Sequence, residues 1–144
     1  MKNTLILLTL LSLAFVACKT TQYTPNDFKG DQIMFGSGGG ITGSYTYYTL
    51  LENGQLFKNG KQKGQYTELK KISRDQVNQL FDNYKVLDLA NVNYDEPDNM
   101  SYFIEYKTEE KVHRIVYGGA AKGLKTEAKL FYQFLNELVQ PSKK

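Results

Sequence analysis

The side chains best suited to nucleophilic and acid–base chemistry, cysteine and histidine, occur once each in this 144-residue chain, as Cys18 and His113. A serine hydrolase would need a serine on a sharp turn, such as the G-x-S-x-G elbow, and no such motif is present. His113 lies in a strand-like run, 112–117, without a partner motif nearby. One histidine and scattered acids also make a poor zinc site. We therefore expect His113 to be a surface strand residue and the protein not to be an enzyme.

Three glycines have the spacing of a phosphate-binding loop, because Gly38, Gly40 and Gly43 fit G-x-G-x-x-G. In dinucleotide-binding proteins a helix begins directly after this loop, so that its N-terminus faces the phosphate. Here a strand rich in tyrosine and threonine follows, and Ser44-Tyr45 stands where a Walker loop needs Lys and Ser or Thr. We therefore predict no nucleotide and no other cofactor.

Acidic residues are concentrated in residues 91–99, which contain Asp95, Glu96 and Asp98. They lack the alternate spacing, turn glycine and distal glutamate of an EF-hand, so we predict an exposed loop without a metal. The formal net charge is +3, and it falls to +2 without residues 1–17, which contain one lysine and no acid. Such a small charge does not indicate nucleic-acid binding.

Six segments rich in β-forming residues, or alternating between apolar and polar residues, are candidate strands. They are residues 32–35, 44–51, 55–58, 65–71, 100–107 and 112–117. Asn53-Gly54 predicts a type I′ hairpin turn, because both residues tolerate positive φ angles. Asn59-Gly60 and residues 108–110 give two further turns. Since tight hairpins join antiparallel strands, we expect an antiparallel sheet of about five to six strands.

Two helices are predicted, one between the fourth and fifth of these strands and one after the sixth. Ser73 and Gln76 form a capping box at the start of the first, which we expect to end near residue 83 or 84. Its apolar residues recur at helical spacing at Val77, Leu80, Phe81 and Tyr84. The second helix, residues 125–139, also has one apolar side and stops before Pro141. The prediction is an α+β fold in which both helices pack on one face of the sheet.

The N-terminus carries a secretory signal. Lys2 is followed by an almost wholly apolar run, residues 5–16, which is too short to span a bilayer as a helix. The run ends in Phe15-Val16-Ala17-Cys18, which resembles the lipobox of bacterial lipoproteins, although leucine is commoner than phenylalanine at the first position. The resemblance implies a signal peptide of residues 1–17 and a mature protein whose N-terminal Cys18 is acylated, palmitate included.

An acylated Cys18 would hold the protein on a lipid bilayer, because several buried acyl chains together give stable anchoring. By resemblance to Gram-negative lipoproteins, Lys19 after the cysteine points to the outer rather than the inner membrane. Residues 18–30 contain Pro25 and Gly30 and little apolar content, and they read as a lipidated tether. Residues 31–140 then form a single domain in the cell envelope.

The glycine segment remains as a candidate contact site. Ser37, Gly38, Gly39, Gly40, Ile41, Thr42 and Gly43 form a predicted seven-residue loop between two strands. Backbone without side chains presents N–H and C=O groups to a partner, as in segments that enter a protease cleft or add to a sheet edge. The alternative is a bulge or mobile loop without function.

The order of these elements resembles the emfourin family, small inhibitors of thermolysin-like metalloproteases of the protealysin group. The likeness covers residues 31–139. It rests on the strand leading into residues 37–43, the helix opened by Ser73, an Asp98-Asn99 approach to residues 102–106, a return strand and a C-terminal helix. In this chain Ile41 stands where the family has an aromatic residue. The resemblance implies that residues 37–43 contact a protease.

The sequence therefore predicts a membrane-anchored, non-enzymatic lipoprotein that binds a protein partner, with a secreted or periplasmic metalloprotease as the candidate target. One alternative is a structural or accessory lipoprotein that docks on an envelope protein of an outer-membrane complex. Another is a small-ligand binder that uses Tyr45, Tyr47 and Tyr48.

Overall fold

The computed structural model describes residues 22–141. The predicted signal peptide, the predicted acylation site Cys18 and residues 19–21 of the predicted tether lie outside the described residues. Within residues 22–141, neither helix has the length and apolarity needed to cross a membrane.

The described residues form an α+β fold, which confirms the predicted class. The strands are β1 (Gln32–Gly39), β2 (Ser44–Leu51), β3 (Gln55–Asn59), β4 (Tyr66–Lys71), β5 (Asp95–Glu96), β6 (Met100–Lys107) and β7 (Val112–Gly118). The α-helices are α1 (Arg74–Val86) and α2 (Thr126–Glu137), and a 3₁₀ turn spans Leu89–Asn91. The sheet order is β4-β3-β2-β1-β6-β7-β5, so β1 is the central strand.

The sheet has seven strands rather than the predicted five to six, because a short strand lies inside the predicted acidic loop. Asp95 and Glu96 pair with Val116 and Tyr117 in parallel, whereas all other neighbours are antiparallel. The Val116 N–H donates to the Tyr94 carbonyl at 2.9 Å. Both residues of β5 are exposed, so nothing in their side chains marks them as a strand.

The main hydrophobic core lies between one face of the sheet, the helix face, and the two helices. The sheet contributes Ile33, Phe35, Leu50, Leu56, Ile104, Tyr106, Ile115 and Tyr117 to this cluster. The helices contribute the predicted stripe Val77, Leu80, Phe81 and Tyr84, together with Ala128, Phe131, Tyr132 and Leu135. This arrangement confirms that both helices pack on one side of the sheet.

The predicted N-cap of α1 is confirmed, because the Ser73 side chain accepts a hydrogen bond from the Gln76 N–H at 3.4 Å. The helix ends at Val86 rather than near residue 84. Its last turn closes through the Leu87 N–H on the Asn83 carbonyl, and Asp88 then leaves the helix with φ of 53°. A left-handed aspartate is a weaker sequence signal for a helix end than glycine.

The turn at Asn53-Gly54 joins β2 and β3 as predicted, but it is not the type I′ turn. Of these two residues, Gly54 alone has a positive φ, +94°. The Gly54 N–H donates to the Leu51 carbonyl at 2.8 Å. This is a three-residue connection with a left-handed glycine at its end, the next commonest hairpin solution.

The predicted tether is wrong for residues 22–30, which lie against the sheet on the face opposite the helices, the open face. The Gln55 side chain accepts from the Tyr23 N–H at 3.3 Å and donates to the Tyr23 carbonyl at 3.4 Å. Gln32 Nε2 donates to the carbonyls of Pro25 and Phe28 at 3.1 and 3.2 Å. We call residues 22–30 the docked segment. It belongs to the folded domain.

Candidate functional site

The glycine segment is divided between a strand and a turn. Ser37, Gly38 and Gly39, which we predicted in a seven-residue loop, are the last residues of β1 and pair with β2 on one side and β6 on the other. Only residues 40–43 form the turn to β2. Buried Gly38 is thus enclosed in the sheet, and the segment available to a partner is four residues long.

Two glycines of β1 are required by the aromatic rings around them. A Cβ on Gly36 would overlap the Thr46 carbonyl oxygen and lie 2.7 Å from the Phe103 ring. A Cβ on Gly38 would lie 2.5 Å from both the Ser44 carbonyl oxygen and the Tyr45 ring. Glycine lets neighbouring aromatic side chains lie across a strand, and this packing explains two of the five glycines in residues 36–43 without any partner.

The turn itself is held by backbone hydrogen bonds. The Gly43 N–H donates to the Gly40 carbonyl at 3.1 Å, and the Gly40 N–H donates to the Asn99 carbonyl at 2.5 Å. Gly40 and Gly43 have φ angles of +67° and +61°, which non-glycine residues adopt at a cost. We call residues 40–43 the tip turn. It is a defined hairpin turn attached to both β2 and the segment before β6.

Exposed apolar side chains gather at this end of the sheet. Ile41, at the tip turn, is fully exposed. Tyr45 is 47% exposed and Met100 is 41% exposed. The register places Met100 opposite Gly39, and a Cβ on Gly40 would lie 3.6 Å from the Met100 sulfur. By the register, Tyr45 lies on the open face and Met100 on the helix face, so that they flank the tip turn from the two faces of the sheet. We call Ile41, Tyr45 and Met100 the tip cluster.

An aromatic column on the open face supports the tip cluster. The Tyr45 and Tyr47 rings stack with centroids 5.9 Å apart, and Tyr47 lies 4.8 Å from the Phe103 ring. The Arg114 guanidinium lies 5.5 Å over Phe103, on the same ring. These contacts fix β2 behind the tip turn, so that the turn projects from a packed sheet.

Ser37 is directed away from the tip cluster. It pairs with Tyr102 in β6, on the helix face, where the Tyr102 ring lies 5.3 Å from the Tyr132 ring of α2. Of the seven candidate contact residues, the structure therefore brings Gly40, Ile41, Thr42 and Gly43 to the tip and leaves Ser37, Gly38 and Gly39 within the sheet.

Tyr45, Tyr47 and Tyr48, proposed from the sequence as one ligand-binding group, are divided between the two faces. Tyr45 and Tyr47 lie in the open-face column, whereas Tyr48 stacks on Phe35 at 5.6 Å and joins the edge of the helix-face core. They do not line a common site.

His113 is half-buried rather than a free surface residue. Its Nδ1 lies 2.5 Å from the Tyr84 hydroxyl, and its Nε2 lies 3.1 Å from the Val92 carbonyl. Burial raises the pKa of Tyr84 well above its usual value, so this hydroxyl stays protonated and can donate to Nδ1 while Nε2–H donates to Val92. Both nitrogens of His113 thereby join α1 and the segment after it to β7, which is a structural role.

The acidic residues of 91–99 bond to their neighbours. Asp98 Oδ1 accepts from the Asn99 N–H at 2.7 Å, and Glu96 accepts from the Tyr94 hydroxyl at 2.9 Å. No group of three or more acids, histidines or cysteines with metal-binding geometry occurs within residues 22–141.

The sequence did not indicate that Tyr45 and Met100 lie next to the glycine segment. Their position follows from the register, which pairs Gly38 with Tyr45 and Gly39 with Met100. The β1–β2 pairing is local, but the β1–β6 pairing joins segments about 60 residues apart and has no local sequence signal.

Comparison with known proteins leaves this geometry as the main guide. No family model matches the chain. No curated protein matches it either.

Proposed function

We propose that this protein is a non-enzymatic lipoprotein of the cell envelope that binds a protein partner through the tip turn. The observation that carries the proposal is the full exposure of Ile41 on a turn that the sheet holds in place. Burying one such side chain in a partner contributes roughly 1.5–3 kcal/mol. Tyr45 and Met100, one on each face of the sheet behind the turn, supply further apolar area for a partner that encloses the tip.

The rigidity of the tip turn favours binding. Because Gly40 and Gly43 are bonded to each other and Gly40 also to Asn99, little conformational entropy remains to be lost on association. A narrow hairpin turn with one projecting apolar side chain fits a cleft better than a flat surface. A protease cleft with an apolar pocket is such a site, and the resemblance to emfourins supports a thermolysin-like metalloprotease as the target.

The lipid anchor and the outer-membrane location belong to the same proposal. They are supported by the apolar run of residues 5–16 and by the position of the chain's single cysteine, Cys18, at its end. Radioactive palmitate should label the full-length chain and should fail to label a Cys18→Ser variant. Labelling of both chains, or of neither, would contradict the anchor.

The experiment on the partner uses the mature domain, residues 19–144, and a panel of thermolysin-like, other metallo- and serine proteases. We expect stoichiometric inhibition confined to the metalloproteases. Ile41→Ser should weaken it by roughly 30-fold, the equivalent of about 2 kcal/mol of lost apolar burial.

Val86 provides the matched control, because it is also an exposed aliphatic residue, 80% exposed, but lies at the end of α1. Val86→Ser should inhibit as the unaltered domain does, and circular dichroism should show both variants folded. Absence of inhibition at micromolar domain, or equal effects of both substitutions, would remove the support for the tip turn as an inhibitory element.

A second candidate function, an accessory lipoprotein in an outer-membrane complex, is favoured by a different surface. Leu130 and Phe134 lie four residues apart on α2, and each is 45% exposed. Residues at this spacing share one side of a helix and could dock on an envelope protein. Loss of co-purification in a Leu130→Ser, Phe134→Ser double variant, with Ile41→Ser unaffected, would favour this function over the first.

A further inference from the structure

The docked segment determines where the chain leaves the domain. Tyr23 is bonded through both its N–H and its carbonyl to Gln55, the first residue of β3. Tyr66 donates to the Asn26 side chain at 2.8 Å, and the Tyr23 and Phe28 rings meet edge to face at 5.4 Å. Pro25 is buried in this contact. These bonds attach the segment to β1, β3 and β4.

The contacts of Gln55 with Tyr23 and of Gln32 with Pro25 and Phe28 lie at the end of the sheet opposite the tip turn, whereas Tyr66, which bonds Asn26, is level with the middle of β1. Gln32, which bonds the docked segment, pairs with Leu51 and Lys107, whereas Gly39 at the other end of β1 pairs with Ser44 and Met100. A cleft of about 390 Å³ lies between residues of the docked segment and the turn after β6. We call this end of the sheet the tether end. It comprises the turns at residues 52–54 and 108–111.

We propose that the tether end faces the lipid bilayer and that the tip turn points into the aqueous compartment, toward a soluble partner rather than one embedded in the same membrane. This inference rests on the proposed acylation of Cys18. From Cys18 to Tyr23 the chain can reach at most about 18 Å, at ~3.6 Å per residue. β1 alone has eight residues and extends about 26 Å at ~3.3 Å per residue.

The reach of the chain therefore keeps Tyr23 close to the membrane surface, whereas the tip turn lies a full strand length farther along. A tether beginning to fold only at residue 31 would have allowed the domain to turn freely. With residues 22–30 docked, residues 19–21 are all that separates Cys18 from the docked segment in the sequence, and the two ends of the sheet are no longer equivalent.

Charge does not account for this orientation. Exposed basic and acidic side chains occur together at the tether end, with Lys29, Lys107 and Lys111 beside Glu52, Glu109 and Glu110. A mixed surface of this kind is not attracted strongly to anionic lipid. The orientation should therefore be insensitive to salt, since chain length and not electrostatic attraction sets it.

The test uses the full-length lipoprotein, purified in detergent and reconstituted into phosphatidylethanolamine–phosphatidylglycerol vesicles that contain a small fraction of acceptor-labelled lipid. Glu109→Cys and Thr42→Cys place a donor dye on exposed turns at the tether end and at the tip, and the proposed acylation leaves no thiol at Cys18 to compete for the dye. We expect energy transfer from position 109 to exceed that from position 42 at least about twofold, given a strand-length separation of ~26 Å. High salt should leave the ratio unchanged.

A longer tether is the matched control. A Gly-Ser linker of about twelve residues inserted between Thr21 and Gln22 keeps the docked segment intact and adds roughly 19 Å of average reach. Energy transfer from position 109 should then fall toward the value from position 42. Equal transfer from both positions before insertion, or no change after it, would overturn the proposed orientation.

The outcomes separate this inference from the proposed partner. Inhibition by the lipid-free domain depends on Ile41 and not on the membrane, so it can succeed while the vesicle experiment fails, or the reverse. A chain that takes up no palmitate would overturn the orientation together with the anchor and leave partner binding to be judged by the inhibition assay.

Discussion

Two glycine turns of this protein, one at each end of β2, differ in what surrounds them. At the tether end, a Cβ on Gly54 would lie 2.7 Å from the Ile72 carbonyl oxygen and 3.6 Å from Val77. The Ile72 N–H in turn donates to the Gly54 carbonyl at 2.8 Å. At the tip, a Cβ on Gly43 would meet nothing within 4 Å. One turn is part of the core, and the other stands in solvent.

The two turns show that glycine is present for different reasons at different turns of this chain. The turn at Gly54 is the site where the start of α1 joins the sheet, so packing accounts for it fully. The tip turn has no such neighbours, and packing does not require an isoleucine at its most exposed position. A residue that folding does not demand is the better candidate for a residue that a partner uses.

The largest expected effect follows from altering the buried turn. Gly54→Val should lower the free energy of unfolding by about 3 kcal/mol, because a β-branched residue is strained at φ of +94° and its Cβ would collide with the Ile72 carbonyl. Denaturant unfolding followed by circular dichroism measures the loss. A loss below about 1 kcal/mol would show that the turn at Gly54 is not more closely packed than the tip turn.

Alkaline pH should also lower the stability of the part of the core near the tether end. Burial raises the pKa of Tyr106, with a further contribution from its hydrogen bond to Asp31, and burial raises the pKa of Tyr84. These rings stack at 4.3 Å. In the unfolded chain both tyrosines would ionise near their ordinary value of 10.0. The stabilisation is therefore complete below about pH 10 and is lost as pH rises toward the folded pKa values.

A pH series of unfolding curves tests this expectation, and ultraviolet absorbance reports tyrosinate formation. The late-ionising tyrosines should titrate together with the loss of structure. Tyr106→Phe removes one titrating hydroxyl and keeps the ring stack, so it should lessen the steepness of the alkaline loss. An unchanged pH dependence in this variant would contradict the assignment.

A smaller effect is expected at the exposed turn. Gly43→Ala should cost roughly 1 kcal/mol, the penalty of placing an L-residue at φ of +61°, because there is open space for the added methyl group. Thermal unfolding of the variant beside Gly54→Val gives the direct comparison. Equal destabilisation by the two substitutions would mean that strain, not packing, dominates both turns.

The smallest effect on stability is expected from Ile41→Ser, which should change the free energy of unfolding by less than about 0.5 kcal/mol. Its side chain is fully exposed and makes no core contact. A marked loss of stability would show that Ile41 serves the fold, and the argument for a partner would lose its basis.

The sequence was sufficient for elements whose signals are local. The Ser73 cap and the apolar spacing of Val77, Leu80, Phe81 and Tyr84 predicted α1, and the alternation of residues 100–107 predicted β6. The alternation did not predict that Phe103, on the opposite side from Ile104, would also be buried, since the open face has its own aromatic column.

The sequence was insufficient to predict features that depend on contacts between distant segments of the chain. Glycines carry no side chain, so the period-two pattern of β1 disappears at Gly36, and the strand could not be followed to Gly39. The docked segment is mostly polar, and the residues that hold its backbone, Gln32 and Gln55, lie in β1 and β3 outside it. Its misassignment as a tether was the natural result of reading composition without these partners.

Photo-crosslinking in cells that produce the full-length protein tests the central claim most directly. A photoreactive amino acid at position 41 is compared with the same amino acid at position 86, an exposed site on α1. We expect a discrete adduct with one protein from position 41 and none from position 86. The absence of an adduct at position 41, or the same adducts from both positions, would contradict the assignment of the tip turn as the partner-binding site.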